Sequence, residues 1–271
     1  MAGVSSESLK AAQRELEAKL PTAPLSLAEE LFAILSLLDS NAGLRRSLTD
    51  PSREGKDKAR LVSELLGGNV SADARTVVEG LAASRWASAR DIGDALETLA
   101  ATTAIAVAES KGTGLDGLEG LENDLFSFIR AVNADHGLQR ALSEPQASSE
   151  AKVRLALKLV PHAGSEAQVL ISQAVSAPRG LKPTALVQRF VELVAQRQRR
   201  WIAEVSVARP LAPSQITRLQ AGLDKLYGRE LKINVNVDPS LVGGVRVQVG
   251  DEVVDSSVIA RLAELQRKLA V

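Results

Sequence analysis

The feature that most constrains the fold is an internal repeat. A shift of 94 positions places LFAILSLLDSNAGLRRSLTDP, which begins at Leu31, on LFSFIRAVNADHGLQRALSEP, which begins at Leu125. Continued without a gap until Arg85 falls on Arg179, the alignment holds 14 identities in 55 pairs. An ungapped register of this length indicates a duplication, so the two copies are expected to form equivalent structures.

Each copy predicts a series of helices. Leu27, Leu31, Ile34, Leu35 and Leu38 have the spacing of one apolar helical face. The segment NAGLRRSLTDP then interrupts the pattern with Asn, Gly and Pro. In the first copy, further helices are predicted at about 44–48, 58–66, 71–83 and 87–110, and Ser71 is the expected N-cap of the helix at 71–83. Another helix is predicted at 5–20, before the first copy, and one at 183–201 ends the second copy.

After Trp201 the apolar period changes from helical to alternating, which predicts strands at 202–208, 231–237 and 245–250. A helix is predicted between the first two strands, with Pro213 in its first turn and Gly228 as a left-handed C-cap. A last helix is predicted from Ser256 or Ser257. Its apolar face carries Val258, Leu262, Leu265 and Leu269.

These patterns predict a mainly α protein with a small α/β domain: a duplicated N-terminal helical bundle followed by a C-terminal β-α-β-β-α unit. The predicted boundaries are 1–112 for the first copy, 113–201 for the second copy and 202–271 for the α/β domain.

Composition excludes several classes of function. The chain has no cysteine, which excludes disulfides, thiolate nucleophiles and thiolate zinc sites. Lys plus Arg and Asp plus Glu number 33 each, so no overall charge favours nucleic acid or anionic lipid. The most apolar segment, 101–108, is too short to span a bilayer, and the N-terminus lacks the pattern of a signal peptide. No direct membrane insertion is expected.

The pair Gly243-Gly244 allows two interpretations. A phosphate-binding loop needs its glycines between a strand and a helix N-terminus. Here the glycines precede the predicted strand 245–250, which favours a hairpin whose turn chemistry comes from Asp238, Pro239 and Ser240. In this interpretation Gly250-Asp251 then turns the chain again, and Arg246 faces solvent.

No catalytic, cofactor-binding or metal-binding residue is predicted. The only histidines, His136 and His162, lack a nearby set of carboxylates with metal-ligand spacing. The basic run at 196–201 has no interleaved aromatic residues and is a weak nucleic-acid signal. No Gly-x-Ser-x-Gly elbow occurs.

The C-terminal sequence resembles a known family. IAEVSVARPLAPSQITRLQAGLDKLYGRELKINV followed by VDPSLVGGVRVQVGDEVVDSSVIARLAEL is similar to the C-terminal part of the F-type ATP synthase delta subunit, whose mitochondrial counterpart is the oligomycin-sensitivity-conferring protein. The signature residues are Asp238, Pro239, Gly243, Gly244, Gly250 and Asp251. The resemblance is strong over about 202–269 and weaker in the helical part, through LFAIL, LRRSLTDP and LAASRWASARD.

Three features depart from the family pattern. Ser256 stands where the family usually has Gly, and Ala212 where it usually has Thr. The second helical copy is the larger departure, because the family normally has one bundle. Enlarged delta subunits of this kind resemble those of some high-GC Gram-positive bacteria.

The resemblance implies a non-catalytic peripheral-stalk, or stator, subunit without a cofactor. The helical part would bind N-terminal segments of the alpha subunits, and the C-terminal domain would bind the C-terminal helix of the b subunit. Its place would be the cytoplasmic face of the cell membrane, as a peripheral component that couples rotor torque to ATP synthesis and proton transport. Two alternatives are a helical-repeat adaptor unrelated to the synthase and a nucleotide-using enzyme built on the glycine pair.

Overall fold

The computed structural model describes residues 3–111, 114–228, 231–239, 241, 243–250 and 252–255. The chain divides into two compact units, Met1–Val194 and Ala195–Val271. The first is helical and the second contains a sheet, which confirms the predicted fold class. The predicted domain boundaries after residues 112 and 201 stay predictions.

The helical unit contains ten complete helices among the described residues. They are α1 Val4–Glu17, α2 Leu25–Ser40, α3 Ala42–Thr49, α4 Gly55–Leu66, α5 Ala72–Ala83, α6 Asp91–Glu109, α7 Leu115–Asn133, α8 His136–Ser143, α9 Ser149–Leu159 and α10 Ser165–Ser176. Helix α11, Pro183–Gln198, runs from the first unit into the second. The predicted helices are confirmed, although α6 begins later than predicted and α11 gives way to a 3₁₀ turn at Arg199–Trp201.

Side-chain caps start equivalent helices in the two copies. The side-chain oxygen of Asn41 accepts a hydrogen bond from the Leu44 N–H at 3.0 Å, and the Asp135 carboxylate accepts one from the Leu138 N–H at 3.3 Å. Ser71 caps α5 as predicted, since its Oγ accepts from the Ala74 N–H at 3.2 Å. Each cap satisfies a backbone donor that has no partner inside its helix, so short polar side chains fix where α3, α8 and α5 begin.

The repeat register changes by one residue at the fifth helix, so the prediction of an ungapped register is wrong from α5 onward. Helices α3 and α8 are 94 residues apart, but α9 is one residue shorter than α4. From α5 onward, each buried apolar residue of the first copy corresponds to a buried apolar residue 93 positions later in the second copy. The residues of α5 are Ala74, Val77, Val78, Leu81 and Ala82, and their counterparts in α10 are Ala167, Leu170, Ile171, Ala174 and Val175. The shift keeps the apolar face of α10 directed at the core.

Helix α6 lies at the centre of the unit. Of its 19 residues, 13 are buried, and it contacts α1, α2 and α5 on the side of the first copy and α7 and α10 on the side of the second. A helix that is apolar on nearly all sides is stable only when other helices surround it. Helix α6 therefore closes the first bundle and opens the second.

The second unit is a four-stranded sheet with one described helix. Its elements are β1 Ile202–Val207, α12 Pro213–Tyr227, β2 Lys232–Val237, β3 Val245–Val249 and β4 Glu252–Asp255. The strand order is β2-β1-β3-β4, with β1 parallel to β2 and antiparallel to β3. Pro213 begins α12 and Gly228 ends it at φ +66°, as predicted. The predicted terminal helix from Ser256 or Ser257 lies outside the described residues.

Alternating residues of the strands form the core of this unit with α12. The buried members are Ala203, Val205, Val207, Leu223, Leu231, Val247 and Val249. Because strand side chains alternate between the two faces of a sheet, this set leaves a polar face on the other side.

Two glycines of α7 give a matched test of the helix packing. A Cβ on Gly117 would collide with the backbone carbonyl oxygen of Ala108 and lie 2.8 Å from that of Lys111, whereas a Cβ on Gly120 would have nothing within 4 Å. We expect Gly117→Ala to lower the free energy of unfolding by about 1–3 kcal/mol through overpacking. Gly120→Ala should raise it by about 0.5–1 kcal/mol through helix propensity. Urea denaturation measures both, and equal effects of the same sign would contradict the packing of α7 on the end of α6.

Candidate functional site

The segment joining β2 to β3 carries most of the predicted signature. Asp238 and Pro239 follow β2, while Gly243 and Gly244 precede β3. Strand β1 lies between β2 and β3, so this segment crosses the end of β1. The predicted hairpin is therefore wrong at this connection, because β2 pairs in parallel with β1 instead of with β3.

A hairpin does join β3 to β4, where Gly250 adopts φ +58°. The turn at Gly250 agrees with the prediction, and its partner Asp251 lies outside the described residues. The Gly250 N–H donates to the Arg199 carbonyl oxygen at 3.1 Å, which connects this turn to the 3₁₀ turn that leads into β1.

The crossing is tight because Val207 at the end of β1 pairs with both Val237 and Val245. The Asp238 N–H donates to the Val207 carbonyl oxygen at 2.8 Å, so the chain turns as soon as β2 ends. Gly244 adopts φ +88°, a conformation that glycine takes without steric cost. The glycine pair leads into β3 and not into a helix, which is the arrangement of a backbone crossing and differs from that of a phosphate loop.

The outer face of the sheet is polar. Asn234 and Asn236 donate through Nδ2 to the two carboxylate oxygens of Glu204, at 3.0 Å and 3.3 Å. Arg246 is exposed on this face, as predicted. Large apolar side chains also reach solvent in this unit, with Leu226 of α12 68% exposed and Val253 of β4 45% exposed. The polar face around Glu204 and the apolar side chains of Leu226 and Val253 are therefore all exposed to solvent.

Arg179 is the centre of a charged network inside the helical unit. It lies in the loop after α10 and adopts φ +50°, in a region that non-glycine residues rarely occupy. Its side chain is 10% exposed, with Nε 2.7 Å from Oδ2 of Asp39 and Nη1 2.8 Å from Oδ1 of Asp94. A planar guanidinium suits this geometry because it presents several donors in fixed directions.

Gly93 of α6 makes room for this guanidinium. A Cβ at position 93 would lie 2.5 Å from Nη2 of Arg179. Arg90 donates to the Arg179 carbonyl oxygen at 2.9 Å, and Arg45 donates to the Asp39 carbonyl oxygen at 2.8 Å. The network therefore joins the end of α2, the first turns of α6 and the loop after α10.

Glu97 is the most deeply buried carboxylate of the network. Its Oε1 has no hydrogen-bond partner among the described residues, although Nη1 of Arg179 lies 3.7 Å away. Burial raises the pKa of Glu97 above its ordinary value of 4.5, and the positive charges of Arg179 and Arg189 oppose this effect. Removal of the group from water outweighs the attraction of the two arginines.

A cavity of about 880 Å³ beside α4 and α5 forms a second charged region, which we call the first-copy pocket. Arg53, Lys58 and Arg85 line it together with one carboxylate, Glu54, and the indole of Trp86. Lys58 is only 3% exposed, and its Nζ donates to the Ser84 carbonyl oxygen at 2.9 Å. Burial lowers the pKa of Lys58, and the charge of Arg85 lowers it further.

The two histidines, which were not predicted to be metal ligands, lie on the surface. His136 at the start of α8 and His162 in the turn before α10 are both exposed. Within the described parts of the chain, no group of three or more His, Asp or Glu side chains is arranged to hold a metal ion. No described helix combines the length and the apolar character needed to cross a membrane.

The fold defines a class of protein: a duplicated helical bundle followed by a small mixed-sheet unit. The family model of the ATP synthase delta (OSCP) subunit matches residues 100–269. The chain is 68% identical to ATP synthase subunit delta of Pseudarthrobacter chlorophenolicus over 100% of both chains. It is 45% identical to the Kocuria rhizophila subunit over 99% of each chain and 39% identical to that of Streptomyces coelicolor over 100% of this chain and 98% of the relative.

The chain therefore belongs to the ATP synthase delta (OSCP) subunit family. Among solved structures, a chain of the Toxoplasma gondii mitochondrial ATP synthase hexamer is 23% identical, with a TM-score of 0.33 over 63% of this chain and 95% of that one. This structural likeness is weak and adds nothing to the family assignment.

The ion pairs of Arg179 predict that its substitution lowers the stability of the helical unit. Arg179→Leu leaves the buried Glu97 and the half-buried Asp39 and Asp94 without their main cation, and it should lower the free energy of unfolding by roughly 3–5 kcal/mol. Arg60→Leu is the matched control, because Arg60 is 80% exposed and, among the described residues, forms an ion pair only with Glu64 on the same helix. That change should cost less than about 1 kcal/mol in urea denaturation. Similar losses in the two variants would contradict the central role of Arg179.

The raised pKa of Glu97 predicts a pH dependence. Between its unfolded and folded pKa values, the native state holds a proton that the unfolded chain has lost, so this group makes stability fall as the pH rises above 4.5. Glu97→Gln removes this titration, and the free energy of unfolding of the variant relative to the parent should rise with pH over that interval. Urea denaturation at a series of pH values measures the difference, and a constant difference would disprove the assignment.

Proposed function

We propose that this delta-family chain is a non-catalytic stator subunit that links the catalytic head of an ATP synthase to its peripheral stalk. The observation that carries the proposal is similarity to ATP synthase delta subunits over the whole chain, including both the helical unit and the sheet unit. In this proposal the helical unit binds N-terminal segments of the alpha subunits, and the sheet unit binds the C-terminal helix of the b subunit.

The physical task of a stator is to hold two parts together against the torque of a rotor. Amphipathic partner helices that dock in grooves of a bundle suit such a task. Two linked sites on one chain also raise the effective concentration of each partner for the other. The exposed Leu226 and Val253 and the polar face around Glu204 give the sheet unit both kinds of contact surface.

The site geometry supports a role without chemistry on nucleotides. Gly243 and Gly244 carry the main chain across the end of β1, where a backbone crossing accounts for them. The rival interpretation as an adaptor unrelated to the synthase is disfavoured by the family match over residues 100–269. We place the chain at the cytoplasmic face of the cell membrane, as a peripheral component held there by other subunits.

Depletion and add-back test this proposal. Membranes that contain the synthase are stripped of this chain, and ATP hydrolysis and ATP-driven proton pumping are measured in parallel. Hydrolysis by the head should persist while proton pumping collapses, and purified full-length chain should restore pumping. Unchanged pumping after complete depletion would contradict the stator role.

A pull-down separates the stator from an unrelated adaptor. The full-length chain is expected to retain a peptide that carries the C-terminal helix of the b subunit, and a scrambled peptide of the same composition is the control. Equal retention of both peptides would leave the stalk interaction without support and favour the adaptor.

A further inference from the structure

A cavity in the second copy is lined by basic side chains and, among the described residues, by no carboxylate. It has a volume of about 370 Å³ and lies between α8 and the start of α11, and we call it the α8–α11 pocket. Its lining contains the guanidinium of Arg140, the ammonium of Lys182 and the imidazole of His136. The whole chain has a formal net charge of zero, so this excess of basic groups is local.

These three side chains have no partner within the described part of the chain, neither a hydrogen bond nor an ion pair. Asp135, the acidic residue next to His136, is engaged elsewhere, because its Oδ1 accepts from the N–H groups of Gly137 and Leu138 at 2.6 Å and 3.3 Å as the cap of α8. The described chain therefore gathers basic groups at this pocket without pairing them.

The corresponding place in the first copy holds the Arg179 network. Helices α2 and α7 correspond at a spacing of 94, which places Asp39 on Asn133. Helices α6 and α11 correspond at a spacing of 91, because every buried residue of α11 then falls on a buried residue of α6. The residues of α11 are Pro183, Leu186, Val187, Phe190, Val191 and Val194, and those of α6 are Ile92, Ala95, Leu96, Leu99, Ala100 and Thr103.

All three carboxylates around Arg179 are replaced by neutral side chains in the second copy. Asp39 corresponds to Asn133, Asp94 to Ala185 and Glu97 to Gln188. The second copy also has His136 where the first has Ala42, since α3 and α8 correspond at a spacing of 94. An acidic site that receives an arginine in the first copy is thus a basic, open site in the second, and a ligand that complements it is an anion.

The donors of the α8–α11 pocket suit a phosphate group. A guanidinium presents a fork of N–H donors to two oxygens of one anion, and an ammonium adds a compact charge. The hydroxyls of Ser143 and Thr184 line the same cavity and are further donors. A phosphate group carries about −1.5 to −2 charges at pH 7 and three acceptor oxygens, whereas a carboxylate carries one charge and two oxygens. The volume of the cavity lies within the range of roughly 300–1,000 Å³ that is typical of small-molecule sites.

We propose that the α8–α11 pocket is a binding site for a phosphate group, supplied by inorganic phosphate or by the phosphate end of a nucleotide, and that Arg140, Lys182 and His136 bind it. The site binds its ligand without making or breaking a covalent bond. A bound phosphate connects α8 to the start of α11, the helix that runs from the helical unit into the sheet unit. The inference goes beyond the stator role and does not depend on it.

The two histidines of the chain give a matched readout of binding. His136 lines the pocket, whereas His162 is exposed in the turn before α10 and does not line it. The imidazole signals of the full-length chain are followed by NMR at constant pH and ionic strength while inorganic phosphate replaces chloride, and a His162→Gln variant assigns them. The His136 signals should shift saturably with a Kd on the order of 1 mM or lower, and those of His162 should not. Equal and unsaturated shifts of both would overturn the inference, because they would show a general salt effect.

Substitution of the two permanent cations tests the site. Arg140→Gln and Lys182→Gln should each raise the Kd for inorganic phosphate roughly tenfold, since each removes a charged donor. Arg46→Gln is the matched control, because it makes the same change at the exposed residue of α3 that corresponds to Arg140. Its effect should be less than about twofold. Equal losses in Arg46→Gln and Arg140→Gln would overturn the inference. Arg140 and Lys182 are both exposed, so the variants keep the buried core, and circular dichroism verifies their helix content.

Titration with ATP in the absence of Mg²⁺ distinguishes the two sources of the phosphate group. Tighter binding of ATP than of inorganic phosphate would support a nucleotide site, and saturation by inorganic phosphate alone would support a site for the free anion. Absence of saturation by both ligands up to about 20 mM would overturn the inference. Shifts of His136 with a glutamate-rich peptide, and with neither phosphate ligand, would also overturn it by assigning the pocket to an acidic protein segment.

Discussion

The Arg179 guanidinium, which lies against Gly93 of α6, is the interaction on which the helical unit depends. It neutralises Asp39 and Asp94, which would otherwise place like charges near the buried Glu97. Because these groups come from α2, α6 and the loop after α10, one side chain fixes the relative position of both copies. The left-handed backbone conformation of Arg179 costs conformational free energy, and the ion pairs with Asp39 and Asp94 offset this cost.

Local features of the fold could be predicted from the sequence, and non-local ones could not. The caps at Ser71 and Gly228 follow from the chemistry of single residues. The crossing before β3 was predicted as a hairpin because alternation indicates which face a residue occupies but not which strand lies beside it. The Arg179 network was missed because its acidic partners Asp39 and Asp94 lie 140 and 85 residues away in the chain.

The two charged regions of the helical unit differ in what surrounds them. Around Arg179 the chain supplies its own carboxylates, and the result is a closed contact between helices. Around Arg85 and Lys58 the charge is positive and faces a cavity. Each copy therefore has an arginine in the segment after its fifth helix, one paired with carboxylates of the chain and the other exposed beside a cavity.

Helix α6 has a consequence for shortening the chain. Because it contacts α1, α2 and α5 as well as α7 and α10, its apolar surface is shared by both copies. A fragment that keeps the second copy must therefore begin ahead of Asp91, and it would expose to water the side of α6 that the earlier helices cover.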